Sequence, residues 1–265
     1  MDLEGREQML MEGIAGRGSM LVAYSGGVDS SLLAVIAREV LGDRSRAVLL
    51  ESPLVPRAAL REARETAAVL GLALDVIPFP VMEEEIFTAN PPDRCYHCKR
   101  MAARMLKGRA RELGLASVAD GTSCSDLGER RPGIRAGSEE GIAHPFIEAG
   151  LTRKDILAIA RRRGYGFRDR PPAACLASRV AYGEEITHEK LRRIEEGEAM
   201  LRDLGFTQVR VRVHGPVARI EVIPGELENL WREREMILGS LRRMGFRYVT
   251  VDLAGYRSGS MDEVL

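Results

Sequence analysis

Ser25-Gly26-Gly27-Val28-Asp29-Ser30-Ser31 constrains this chain more than any other segment. The apolar run Met20–Tyr24 precedes it and the helix-like run Leu32–Ala37 follows it. A strand, a glycine turn and a helix start therefore meet within a short stretch, which is the βα step of a parallel sheet. Backbone N–H groups at such a turn line a concavity, and the helix N-terminus adds roughly half a positive charge. The segment is an anion site that the hydroxyls of Ser25, Ser30 and Ser31 would complete. No lysine follows the glycines, which excludes the Walker loop, and the spacing is not that of a dinucleotide GxGxxG. A Gly-Ser turn that only joins strand to helix is the bland alternative, and Asp29 at the fifth position argues against it.

The pattern SGGxDS resembles the pyrophosphate loop of PP-loop ATP pyrophosphatases. That resemblance implies an enzyme that splits ATP into AMP and pyrophosphate and attaches AMP to a substrate oxygen. The rest of the N-terminal half agrees with such a sheet. Short β-like runs recur at Ala47–Leu50, Leu74–Ile77 and Ser117–Asp120, with helical stretches over 56–70 and 96–113 between them. An amphipathic helix over 1–16 leads in. Ligands in parallel sheets bind at the carboxyl ends of the strands, where SGGVDSS, Glu51-Ser52 and Asp120-Gly121-Thr122-Ser123 all fall.

Composition shifts around Arg168-Asp169-Arg170-Pro171-Pro172, which reads as a hinge. The expected organisation is an α/β PP-loop ATP pyrophosphatase domain (adenine nucleotide alpha hydrolase-like) over residues 1–170. A smaller C-terminal α+β domain follows over 171–265. In the latter the order is helix 188–204, strands 207–214 and 217–223, helix 226–244 and strand 247–253, read as an antiparallel sheet with helices.

The chain has 265 residues, enough for two modest domains, and its 39 basic and 39 acidic residues cancel. No global field draws it to nucleic acid, and no apolar run approaches a membrane span. Met1–Arg6 lacks the layout of a signal peptide, so a cytoplasmic location is expected. The four cysteines then read as thiols, metal ligands or catalysts rather than disulfides. A homo-oligomer is compatible with all of this.

The strand over 207–214 alternates almost without fault: Val209, Val211 and Val213 on one side, Arg210, Arg212 and His214 on the other. After the His214-Gly215-Pro216 turn, Ala218, Ile220 and Val222 alternate with Arg219 and Glu221. One face thus collects arginines and a carboxylate. It is either a solvated sheet face or an anion-binding face for a phosphate or carboxylates.

Cys95 and Cys98 in Cys95-Tyr96-His97-Cys98-Lys99 have the CxxC spacing that brings two sulfurs to one metal centre, or that serves a redox pair. Cys175 sits in an irregular segment beside Arg179, where its thiolate would be favoured. Together SGGVDSS, RCYHCK, the DGT-to-RPG stretch (Asp120–Gly133), PPAACLASR, RVHGPVARIEV and DLAGYRSGSM resemble the LarE family. The resemblance runs from about residue 20 to the C-terminus. Members are ATP-dependent sulfurtransferases that build the nickel-pincer nucleotide cofactor of lactate racemase.

The resemblance implies pyridinium-3,5-biscarboxylic acid mononucleotide as the small-molecule substrate. A pyridinium carboxylate is adenylylated with ATP and Mg²⁺, and sulfur then displaces AMP to leave a thiocarboxylate. The family supplies sulfur by sacrificing the cysteine at the Cys175 position or by a 4Fe–4S cluster on three cysteines. Cys95, Cys98 and Cys175 match the second type, recharged by sulfide or a sulfur-donor protein, with Cys124 a bystander. Asp29 is expected to organise the loop or metal, Ser52 and Asp126 to serve the nucleotide or metal, and Arg179, Arg210, Arg212 and Arg257 to hold phosphate and carboxylates, oriented by Glu221. A tRNA thiolase, an NAD-synthetase-like amidotransferase and a non-enzymatic nucleotide-binding module are the rivals. The amidotransferase would leave the thiols without a task. The tRNA thiolase lacks a basic appendage here, and the binding module would bind ATP without releasing pyrophosphate.

Overall fold

The computed structural model describes residues 2–127, 132–166, 175–257, 259–261 and 263. The expected hinge at Arg168–Pro172, the Gly128–Arg131 part of the DGT-to-RPG stretch and the first four residues of PPAACLASR lie outside these. Along the chain the elements are α1 (Leu3–Ala15), β1 (Met20–Tyr24), α2 (Val28–Leu41), β2 (Ser45–Glu51), α3 (Arg57–Val69), β3 (Leu74–Pro78), α4 (Glu85–Thr88), α5 (Arg94–Glu112), β4 (Ser117–Ala119), α6 (Pro132–Glu139), α7 (Pro145–Glu148) and α8 (Arg153–Arg162). Then follow α9 (His188–Asp203), β5 (Val209–His214), β6 (Val217–Val222), α10 (Leu227–Arg232), α11 (Arg234–Arg243) and β7 (Tyr248–Val251). Among the described residues no helix is long and apolar enough to cross a membrane.

Two compact units emerge: Met1–Val81 with Cys95–Ala173, and Met82–Arg94 with Ala174–Leu265. A single cut near residue 170 does not anticipate that residues 82–94 join the second unit. The reason is Asn90, fully buried with φ +57°. Its Nδ2 donates to the carbonyls of Ala181 (2.7 Å) and Glu184 (3.0 Å). The Gly183 N–H donates to the Asn90 carbonyl and the Ile186 N–H to that of Thr88. Arg94, also buried, donates to Asn90 Oδ1 and stacks over the Tyr182 ring at 4.7 Å.

In the first unit the sheet order is β3-β2-β1-β4 and every pairing is parallel. The sheet has a core on each face, as buried parallel strands require. Met20, Val22 and Tyr24 pack with residues of α1, α2, α3 and α8, whereas Leu21 packs with Ala103, Leu106 and Ala110 of α5. Helix α2 is buried nearly all round from Leu32 to Ala37, which is why its sequence carries no polar stripe. Chain progression moves from β1 outward through β2 to β3, then reverses to place β4 on the other side of β1. The gap between β1 and β4 is therefore the topological switch point of the sheet.

The second unit has the order β5-β6-β7, with β5 and β6 antiparallel and β6 and β7 parallel. This corrects the all-antiparallel expectation. The segment between β6 and β7 carries α10 and α11, and a helical crossover returns the chain in the same direction as it left. The helix expected over 226–244 is two helices that meet at Glu233. Val209, Val211 and Val213 are buried as the alternation predicts, and Gly197 of α9 lets that helix approach Val211 closely.

Candidate functional site

Glycine makes the β1–α2 loop possible. Gly26 has φ +78°, and a Cβ there would lie 2.5 Å from the Ala63 Cβ of α3. Gly27 is the N-cap of α2. The loop closes on its own hydroxyls: the Ser25 N–H donates to Ser30 Oγ at 3.1 Å, and Ser30 Oγ donates to the Gly27 carbonyl at 3.1 Å. The Ser25 and Ser30 hydroxyls are 3.0 Å apart. Ser31 differs from the expectation, being fully buried as the fourth residue of α2. Above it, Tyr24 donates to the Ala63 carbonyl at 3.0 Å, and burial pushes its phenol pKa up.

The loop after β4 lies against this turn. A Cβ on Gly121 would stand 2.8 Å from the Ser30 nitrogen and 3.1 Å from the Asp29 Cβ, so the two backbones are in direct contact. Asp120 Oδ1 accepts from His144 Nδ1 at 2.8 Å and from the Thr122 N–H at 3.0 Å. Burial opposes the charge on Asp120, but His144, Lys99 and Thr122 outweigh it and hold the carboxyl pKa low. The same hydrogen bond raises the His144 pKa, against a smaller effect of burial. Asp29 is ion-paired with Arg153, the first residue of α8. Ser52, buried just beyond β2, accepts from the Leu54 N–H at 3.4 Å. Asp126 Oδ2 accepts from the Ser123 N–H and hydroxyl at 2.8 and 2.9 Å in a capping box. Its place in the loop after β4 is as expected, and that oxygen is already used locally.

Cys95 and Cys98 lie one turn apart in α5, the first exposed and the second half-buried. Lys99, the next residue, is near enough to Asp120 and His144 to act on the charge of both. Cys124 Sγ is 3.9 Å from the Ile147 carbonyl. Cys175, in the second unit, is exposed at the start of a short 3₁₀ turn. Among the described residues no three His, Cys, Asp or Glu side chains are gathered as a metal site.

Arg179, Arg212 and Glu221 of the second unit are buried and form no solvated face. Strand register sets Arg210 opposite Glu221 and Arg212 opposite Arg219, as the alternation implies. Glu221 is fully buried; Arg212 Nη2 donates to its Oε2 at 2.8 Å and the Ser260 hydroxyl to its Oε1 at 2.9 Å. Arg212 Nη1 donates to the Ser178 carbonyl at 3.0 Å. Arg179 is buried against Glu198 and donates through Nη1 to the Cys175 carbonyl at 2.9 Å. Both Arg179 and Arg212, expected as anion ligands, are therefore already paired with carboxylates. Arg257 pairs with Glu263 and Asp252. Arg210 contrasts with them: its guanidinium lies 5.0 Å from the Tyr256 ring centre, it donates to the Val209 carbonyl, and among the described residues no carboxylate pairs with it. Burial, then the neighbouring Arg179 charge, lowers its pKa.

His144, Arg153 and Glu198 at these sites escaped the sequence reading. Arg153 carried a weak signal, since Thr152 and Asp155 spell a capping box that fixes the start of α8. Glu198 carried a stronger one: it occupies the apolar stripe of Leu191, Ile194 and Leu201, where a carboxylate demands a buried partner.

The NAD synthase family model matches residues 7–124, the stretch that contains the β1–α2 loop and β4. A Synechocystis protein with the name uncharacterized protein slr1717 is 39% identical over 92% of both chains. The pyridinium-3,5-bisthiocarboxylic acid mononucleotide synthase of Lactiplantibacillus plantarum is 34% identical over 92% of this chain and 89% of its own. A GMP synthase of Aeropyrum pernix is 27% identical over 69% of this chain and 39% of its own length. Similarity over nearly the full length to the mononucleotide synthase, with the pyrophosphate-type loop at the switch point of a parallel sheet, makes this chain a member of the LarE family of ATP-dependent sulfurtransferases.

Proposed function

We propose that the chain adenylylates a carboxylate of pyridinium-3,5-biscarboxylic acid mononucleotide and replaces the AMP with sulfur, giving a thiocarboxylate. The observation that carries this reading is the SGGVDSS turn at the β1–β4 switch point, a glycine turn that leads into the N-terminus of α2 without a Walker lysine. The name of the Lactiplantibacillus plantarum relative supports the pyridinium mononucleotide as the substrate class.

A carboxylate resists attack by sulfur because its leaving group would be oxide. In the first step a carboxylate oxygen attacks the α-phosphorus of ATP, the bond to the bridging oxygen breaks, and pyrophosphate departs with the electron pair. The N–H groups and hydroxyls of residues 25–30 would stabilise the charge that builds on pyrophosphate. Asp29 and Asp126 would hold Mg²⁺, which neutralises the phosphates. In the second step a sulfur nucleophile at the oxidation level of sulfide attacks the carbonyl carbon, and AMP leaves. Arg210 would bind the substrate's phosphate or second carboxylate, with Glu221 fixing the neighbouring Arg212.

For the sulfur itself, Cys95, Cys98 and Cys175 are the thiols we assign as carriers. When held by these three, a 4Fe–4S cluster would supply an iron that is open to sulfide. Anaerobic reconstitution followed by iron and sulfide analysis tests this part alone. About four irons per chain, lost on replacing any of the three cysteines, is the expected result. Mass loss of H₂S from Cys175 after one turnover would assign the sacrificial route instead.

The decisive experiment for the reaction is product analysis with ATP, substrate and sulfide. AMP and pyrophosphate in a substrate-dependent assay are expected, and ADP would overturn the reading. The match to the NAD synthase model favours one alternative, ammonia as nucleophile. An amide product formed from ammonium without sulfide would establish it.

A further inference from the structure

We propose that His144 is a positioning residue for ATP turnover, acting through Asp120 to hold the Asp120–Thr122 loop against the first turn of α2. The role rests on the reading of residues 25–31 as the ATP site.

The chain of contacts is short and lies within the first unit. Ala143 extends the sheet beside β4: its N–H donates to the Val118 carbonyl at 2.9 Å, and its own carbonyl accepts from the Asp120 N–H at 3.1 Å. This bridge delivers the next residue, His144, to the Asp120 side chain at 2.8 Å. The same oxygen of Asp120 accepts the Thr122 N–H. One carboxylate oxygen thus ties the imidazole to both ends of a three-residue turn whose middle member is Gly121. That glycine has no freedom to shift toward α2, because its backbone already touches Asp29 and Ser30. A displacement of the turn is a displacement of the surface that supports the loop.

Both ring nitrogens of His144 are engaged. Nε2 stands 3.2 Å from the Ser138 hydroxyl of α6, so the ring has a preferred orientation with Nδ1 toward Asp120. The charged groups that act on His144 are Asp120, Glu148 of α7 and Lys99 of α5. The ring touches none of the residues to which we assign adenylyl transfer. It acts one contact away, through a loop that must sit within a fraction of an ångström for in-line attack.

The test compares three variants with the wild type in steady-state AMP formation, equilibrium ATP binding and thermal unfolding. His144→Ala removes the Nδ1 donor and should lower kcat by roughly ten- to hundredfold, the scale expected for small misplacement of reacting groups. His144→Asn places an amide N–H near the former Nδ1 and should recover most of that loss. Gly121→Ala should reproduce the His144→Ala defect by forcing the turn off Ser30. A merely structural histidine predicts a different pattern: a lower melting temperature in both His144 variants, with kcat per folded molecule unchanged. That pattern overturns the proposal, as does an alanine variant that turns over like the wild type. Wild-type protein that neither binds ATP nor forms AMP would instead overturn the site reading on which the role rests.

Discussion

Arg179 and Glu198 form a buried pair inside the second unit, with Nε and Nη2 donating to the carboxylate at 2.8 and 3.2 Å and with residue exposures of 2% and 0%. The pair fixes more than itself. Arg179 Nη1 also holds the Cys175 carbonyl and the Ser178 hydroxyl, and Glu198 accepts the Val211 N–H at 3.3 Å. A helix, a strand and the turn that bears an exposed thiol are thus joined at one carboxylate.

Removing that carboxylate takes from the buried Arg179 the counter-charge that Nε and Nη2 bind. Glu198→Ala should therefore cost about 3–5 kcal/mol, the range for breaking a buried pair by deleting one partner. Urea denaturation measures it. A loss below about 1 kcal/mol, typical of exposed pairs, would mean that water reaches Arg179.

Glycines offer a contrast between two positions. Gly26→Ala puts a side chain at φ +78° and into contact with Ala63, so it should destabilise by more than about 1–2 kcal/mol and abolish ATP binding. Gly108 lies inside α5, where an added Cβ would meet nothing within 4 Å. Gly108→Ala should stabilise by about 0.5–1 kcal/mol and leave ATP binding unchanged. Paired melting and ATP titration of the two variants separate backbone conformation from site chemistry.

The Asp120–His144 pair gives stability a pH window. The Asp120 carboxyl is held below its ordinary range, so its contribution is present above the unfolded value of about 3.9 and is lost as pH falls through the lower folded value. The His144 imidazole is raised, so its contribution is complete below about 6.5 and is lost as pH rises through the higher folded value. Both are full between about pH 4 and 6.5. The stability gap between wild type and Asp120→Asn should be widest there and should narrow on either side. A gap that is flat from about pH 4 to 9 would show that the pair does not titrate with folding.

What could be read in the sequence follows from which interactions are local. The β1–α2 turn and the parallel strands were legible because glycine, apolar runs and helix starts are local signals. The parallel pairing of β7 was not, since a hairpin and a helical crossover differ in where the chain returns, not in the strand's own residues. Glu198 was legible in principle from its place in the Leu191–Ile194–Leu201 stripe, yet the neighbouring Glu195 and Glu196 disguise it as part of a solvated face. The ion pair of Asp29 with Arg153 spans 124 residues, and no pattern along the chain announces it.

Arg210 and Arg212 alternate on one strand face and should nevertheless respond differently to truncation. Arg212 is the nearer of two guanidinium partners of the buried Glu221, and Arg219 stays 3.3 Å from Oε1 when it is removed, so Arg212→Ala should destabilise the protein by about 1.5–3 kcal/mol, the scale of one lost charge-assisted hydrogen bond. Arg210 stacks on Tyr256, feels the repulsion of Arg179 and has no paired carboxylate among the described residues. Its charge is relieved, not stranded, by removal, so Arg210→Ala should leave stability within about 1 kcal/mol of wild type. If this guanidinium binds the anionic groups of the pyridinium nucleotide, the same variant should lose the substrate. A charge-assisted hydrogen bond is worth about 1.5–3 kcal/mol, which corresponds to roughly ten- to hundredfold weaker binding. ATP affinity should not change. Calorimetric titration of both ligands into Arg210→Ala, beside a denaturation curve, reads all three quantities. Equal loss of ATP and substrate, or loss of neither, would remove Arg210 from the substrate site.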